Sequence, residues 1–186
     1  MNYYLLFEKF EKGEASFSVL DPWRLALKYY EPQVKLTKTR PELSVDNVYD
    51  ERGTSDYLKI GIGALASLKI QDIFFNNGFT GIQFVPVDVD NDGVRLNNYA
   101  FMNVVAHYDL LEPVKSRAED FSDELGGYTR VRDELIDKEK LDKMIIREDC
   151  FTLSTFKSPY FVSERVKDAL EAAEVTGIEF IPMEFA

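Results

Sequence analysis

The chain has a single cysteine, Cys150, and a single histidine, His107, in 186 residues. One cysteine cannot form an intramolecular disulfide or a cysteine-rich metal cluster. One histidine leaves out any site that needs two imidazoles, and no metal or other cofactor is expected. Long apolar runs are missing: no segment approaches the roughly 18 residues of a membrane-spanning helix. The opening residues, 1–10, carry Glu8 inside their apolar stretch and lack the basic and apolar regions of a secretory signal. A cytoplasmic address is therefore expected. Basic residues are in deficit, with 22 Lys and Arg against 33 Asp and Glu, for a formal net charge of -11 and a pI near 4.6. Such a surface repels phosphate backbones and anionic membranes, which argues against both as direct ligands. It favours cationic partners and speeds their approach. A glycine-rich phosphate loop is missing too, because Gly61-Ile-Gly63 lacks the further glycine and the lysine.

What is present suffices for a core. Hydrophobic residues make up 45%, among them 14 Phe and 10 Tyr, in a length that suits one domain over residues 1–186. The informative feature is an internal repeat. Residues 67–89 align without gaps on 163–185, at an offset of 96. Ser67/Ser163, Asp72/Asp168, Thr80/Thr176, Gly81/Gly177, Ile82/Ile178, Phe84/Phe180 and Pro86/Pro182 are identical. Ile70, Ile73 and Phe74 fall at helical spacing, as do Val166, Ala169, Leu170 and Ala173. Ser67 and Ser163 stand where a side chain caps a helix. Thr-Gly then turns the chain into Ile-x-Phe, an alternation typical of strands. The unit reads as helix, tight turn, strand, with Phe84 and Phe180 in equivalent core positions. Gly78 suits a left-handed helix end, and Glu174 in the second copy suggests that this cap is not shared.

Elsewhere the pattern is coarser. Residues 2–7 read as a short buried strand, and Asp21-Pro22 opens a helix that ends before Pro32. Residues 33–55 read as loop with one short strand, and 1–60 are the least legible part. Residues 99–108 read as one long strand, 142–156 as a hairpin, and 115–141 as two short helical or loop pieces broken at Gly126-Gly127. The fold class is α+β with a mixed sheet, in two related halves of about 61–110 and 111–186.

Three motifs invite chemistry. Asp88-Val-Asp90-Asn-Asp92-Gly93 matches the start of an EF-hand loop, but Tyr99 replaces its bidentate glutamate and the flanks read as strands. A hairpin turn is the preferred reading. His107 and Asp109 lie on one side of a strand and could orient a general base. A structural histidine is the simpler account, since no nucleophile with a recognisable signature accompanies it. Glu119, Asp120, Asp123 and Glu124 form an acidic run, a wet face or half of an electrostatic interface.

The second copy, with Tyr160-Phe-Val-Ser-Glu-Arg165 and Thr176-Gly-Ile-Glu-Phe-Ile-Pro182, resembles the closing motif of a group of bacterial immunity proteins, immunity protein family eleven. Tyr99, Asn103, Asp109, Ser116 and Phe151 also resemble that family's central segment. The resemblance implies a non-enzymatic protein that binds and neutralises a cognate toxin, and it carries no site residues with it. The charge points to a toxin with a basic face, contacted by Asp88, Asp90, Asp92, Glu119, Asp120, Asp123 and Glu124. A small hydrolase using His107 and Asp109, or a scaffold unrelated to toxins, are the alternatives.

Overall fold

The computed structural model describes residues 2–9, 16–19, 32–35, 40–48, 54–60, 63–91, 93–96 and 98–186. The helix expected over 21–31 lies outside the described residues, as do Gly61 and Asp92. The fold is α+β. Its described helices are α1 (Leu68–Asn77), α2 (Lys138–Asp142) and α3 (Glu164–Ala172). One sheet has the order β4-β5-β9-β6, with β4 (Tyr57–Lys59), β5 (Ala64–Ser67), β6 (Ile82–Pro86) and β9 (Tyr99–Val104). A second has the order β10-β13-β14-β1-β15. Its strands are β1 (Tyr3–Glu8), β10 (His107–Tyr108), β13 (Cys150–Leu153), β14 (Tyr160–Ser163) and β15 (Ile178–Pro182). A third joins β2 (Ser16–Val19), β3 (Glu42–Val48), β7 (Asp88–Asn91) and β8 (Val94–Leu96). A separate hairpin pairs β11 (Glu119–Ser122) with β12 (Gly127–Arg130).

The helix-turn-strand units appear as β5-α1-β6 and β14-α3-β15, and the duplication extends further than the gapless alignment. β9 lies between β5 and β6, antiparallel to both, and β1 lies between β14 and β15 in the same way. The registers agree residue for residue. Tyr99 faces Ser67 as Tyr3 faces Ser163, and Phe101 faces Val85 as Leu5 faces Ile181. The repeats therefore run from β1 and from β9, about 3–98 and 99–186 and not the expected 61–110 and 111–186, and each gives its first strand to the other's sheet. Such a reciprocal exchange is the rule of a two-fold interface, here met within one chain.

Packing follows the same symmetry. Leu6 and Met102, Ile70 and Val166, and Phe74 and Leu170 are equivalent pairs, and all are buried in one central cluster. Phe84 and Phe180 take matching positions, as expected, but pack half-buried against the edge of this cluster and not inside it. On the far face of the first sheet, Leu58, Leu65, Val85 and Phe101 meet Leu43 and Val89 from the third sheet. On the far face of the second, Tyr3, Phe151 and Phe161 pack with Leu110, Leu111 and Ile136. Both repeat sheets are thus buried on two faces. Truncating a fully buried ring such as Phe151 to Ala costs about 3–5 kcal/mol.

The identical repeat residues build two clasps. Ser67 Oγ donates to Asp56 Oδ1 at 2.7 Å and Ser163 Oγ to Asp149 Oδ1 at 2.9 Å. The Thr176 N–H of the opposite half donates to Asp56 Oδ2 at 3.0 Å, and the Thr80 N–H to Asp149 Oδ2 at 3.3 Å. Lys69 and Arg165 complete the pair at 3.5 and 3.6 Å. Both serines occupy the helix N-cap position, yet neither makes the expected side-chain cap bond. The carboxylate is the stronger partner for the hydroxyl.

Four further expectations change. The left-handed cap is shared after all: Gly78 has φ 64° and Glu174 φ 52°. The Phe79 and Val175 amides close the two helices on Phe74 and Leu170 carbonyls at 3.0 and 3.1 Å. The long strand over 99–108 divides into β9, which stays in the first sheet, and β10, which crosses to pair with β13 in the second. No hairpin forms over 142–156, since β13 already has β14 on one side and β10 on the other. Within 115–141 the chain forms the β11–β12 hairpin, held by the edge-on Phe121–Tyr128 pair at 5.1 Å, and the short α2.

Candidate partner-binding surface

The acidic candidates fall in two separate places. Asp88 and Asp90 lie on β7, whose Val89 packs on the outer face of the first repeat sheet. Asp90 Oδ1 accepts the Gly93 N–H at 2.9 Å, and β7 pairs antiparallel with β8. The segment is a hairpin, with strands where a calcium loop needs helices. Glu119 and Asp120 lie on β11, beside the outer face of the second repeat sheet, where Ala118 and Tyr128 pack. Arg130 reaches both, at 3.3 and 3.7 Å, and Arg132 reaches Glu119 at 3.8 Å. Asp88 is 3.6 Å from Arg40. Asp123 and Glu124, in the hairpin turn, are exposed and have no ion pair among the described residues. The structure brings Glu119 through Glu124 together but does not join them to Asp88 and Asp90.

The catalytic alternative finds its groups engaged elsewhere. His107 Nε2 lies 2.9 Å from the Val104 carbonyl oxygen. Burial holds this imidazole below its ordinary value, and Lys157 adds to the effect. Asp109 is exposed and accepts from Lys140 Nζ at 2.9 Å. Cys150 is fully buried in the central cluster, and burial pushes its thiol far up. Sequence reasoning missed Lys59, whose amide donates to Glu8 Oε1 at 3.1 Å and whose Nζ donates to Ser158 Oγ at 3.3 Å. Burial lowers its pKa and raises those of Glu8 and Glu134 beside it. This interior joint ties the first strand, the first half and the second half together.

The helix pair presents a different kind of surface. α1 and α3 lie side by side and antiparallel. Lys69 Nζ donates to Glu174 O at 2.8 Å at one end, and Arg165 sits 5.3 Å over the Phe79 ring at the other. Ile70, Phe74, Val166 and Leu170 are buried beneath. The outer stripe of α1, at i, i+4 and i+7, is Leu68, Asp72 and Phe75. Phe75 is 86% exposed and Leu68 52%. The same stripe of α3 is Glu164, Asp168 and Glu171, all exposed. A signal for this was present in the repeat, where two apolar residues align with two glutamates. A second apolar feature is a groove of about 340 Å³ lined by Tyr3, Leu141, Met144, Ile145 and Ile146.

Among the described residues, no group of three or more His, Cys, Asp or Glu is placed to hold a metal ion. No described helix is long and apolar enough to cross a membrane. Comparison with curated proteins gives no match. The model of one protein family, described as Immunity protein family (Imm11), matches residues 14–184.

Proposed function

The chain belongs to the immunity protein family Imm11, and on that premise we propose that it protects by binding a cognate toxin domain and holding it inactive. The observation that carries this reading is the extent of the match, which takes in both repeats and not a short motif. The reading is non-catalytic: His107 and Asp109 have structural partners, and Cys150 lies in the core. The toxin is one of a polymorphic system in a bacterial cytoplasm, and its own active face is basic. The net charge of -11 supports that choice, since enzymes acting on nucleic acid cluster Lys and Arg over the phosphate path. Surface ion pairs such as Asp88–Arg40 and Glu119–Arg130 are worth at most about 1 kcal/mol. A toxin cation can displace the arginines at little cost, so Asp88, Glu119 and Asp120 can serve such a face together with Asp90, Asp123 and Glu124; Asp92 is proposed with them from its place in the sequence alone.

Co-expression with the toxin-like reading frame beside the gene tests the function. Growth rescue together with co-purification of the two chains is expected. His107→Ala should rescue as the wild type does. Loss of rescue by a folded His107→Ala protein would return the enzyme reading to the front.

A further inference from the structure

We propose that the toxin docks on the exposed face of the α1–α3 pair, with Leu68 and Phe75 entering an apolar recess whose rim is basic. This rests on the toxin-binding reading and adds the place and its chemistry. Two residues seven apart on a helix lie on one face about 10 Å apart. An 86% exposed Phe75 keeps nearly all of a large apolar side chain in water, and rigid aromatics of this kind are typical anchors of interfaces.

The second repeat serves as an internal reference. α3 has the same length class, the same left-handed end and the same inward apolar positions, yet it carries Glu164 and Glu171 at the equivalents of Leu68 and Phe75. The fold therefore does not require apolar residues on that stripe. What α3 contributes is charge. Its carboxylates lie beside the apolar stripe, and Asp72 sits within it. Of the cations on the two helices, Lys69 turns to Asp56 and the Glu174 carbonyl, Arg165 to Asp149 and Phe79, and Lys167 to Asp168 and Glu171 at 3.5 and 2.7 Å within α3. Asp72 and Glu164 are therefore the flank carboxylates with no cation among the described residues. An occupant must then match apolar ridge and acidic flank together, which a basic toxin face does.

A second copy of this chain fits poorly. A two-fold contact through α1 sets Asp72 near its own image and brings like charges together.

The test uses the purified toxin domain encoded beside the gene, titrated onto the full chain. Leu68→Glu/Phe75→Glu gives α1 the residues α3 already folds with, so its melting temperature should be unchanged. Its affinity should fall at least about 100-fold and growth rescue should be lost, the scale of a central anchor. Phe75→Ser, a change at an exposed side chain, should lose about tenfold or more and guards against misfolding of the double variant. Val114→Ser, at an 81% exposed apolar residue outside the helix pair, should stay within about threefold. Binding of Leu68→Glu/Phe75→Glu at wild-type strength overturns this surface and leaves the binding reading standing. Absence of any wild-type binding overturns both. A wild-type dimer that Leu68→Glu/Phe75→Glu converts to a monomer, seen by sedimentation, reassigns the patch to self-association and also overturns the proposal.

Discussion

Glu174 holds its backbone at φ 52°, a left-handed conformation in which a Cβ costs roughly 1–2 kcal/mol. Gly78 occupies the same place after α1 at φ 64° with nothing within 4 Å of where a Cβ would be. The Glu174 side chain is exposed, so its removal loses little packing. Glu174→Gly should raise stability by about 1 kcal/mol, net of the extra freedom of glycine in the unfolded chain. A higher urea midpoint at unchanged slope is the expected result, and an unchanged or lower midpoint would refute the strain. The glutamate hid this cap in the sequence, because the habit of the residue argued against the conformation in which Val175 N–H closes α3 on the Leu170 carbonyl. His107 gives a second residue-scale expectation. Burial, and then Lys157, depress its pKa in the folded protein. The unfolded chain therefore takes up the proton first, from about pH 6.5, and stability declines as pH falls from there. As it is the only histidine, a His107→Gln protein should lose that decline. Equal pH slopes for the two proteins between about 7.5 and 5.5 would remove His107 as the cause.

At the scale of elements, the two Thr-Gly turns carry the exchange between halves. A Cβ on Gly81 would meet the Cys150 carbonyl oxygen at 1.9 Å, and one on Gly177 the Tyr57 carbonyl oxygen at 2.5 Å. Their φ angles, 92° and 81°, are unfavourable to any side chain as well. Both obstacles are backbone, so neither can swing aside. Gly81→Ala and Gly177→Ala should each cost about 3 kcal/mol or more, with Gly81→Ala the worse, as read by urea unfolding. Tolerance of Gly81→Ala would mean that the turn is not held against β13. The turns were legible in the sequence because glycine, threonine and the strand alternation repeat without gaps. The strand exchange was not. Of the six positions in β1 and β9, only Tyr3 and Tyr99 are identical, and Phe7/Asn103 and Glu8/Val104 do not keep even their apolar or polar character. Asp56 and Asp149 escaped notice because they stand out of step with the 96-residue offset, the β13–β14 connection being longer than the β4–β5 one. Segments 115–141 and 142–156 misled because their charge and short apolar runs fit several structures, and tertiary partners decide among them.

For the whole molecule, we propose one cooperative domain, because neither half can complete its sheet without the other's first strand. Fluorescence and circular dichroism should then report one coincident unfolding transition, and two separated transitions would count against it. The proposed function divides at this scale between charge, which composition makes plain, and the apolar stripe of α1, which shows only when the exposed faces of the two helices are set side by side. The two act at different stages of binding. On the proposed reading, the charge of -11 would act at a distance and speed encounter with a basic partner, whereas Leu68 and Phe75 would act in contact and set how long the complex lasts. Salt screens over about 10 Å at 0.1 M. Stopped-flow mixing with the toxin domain should therefore show association slowing by about tenfold or more from low to high salt. Dissociation should change far less. Leu68→Glu/Phe75→Glu should give the opposite pattern, dissociating fast at every salt concentration while its association keeps its salt dependence. An association rate that stays flat with salt would refute electrostatic steering and leave the apolar stripe to carry recognition alone.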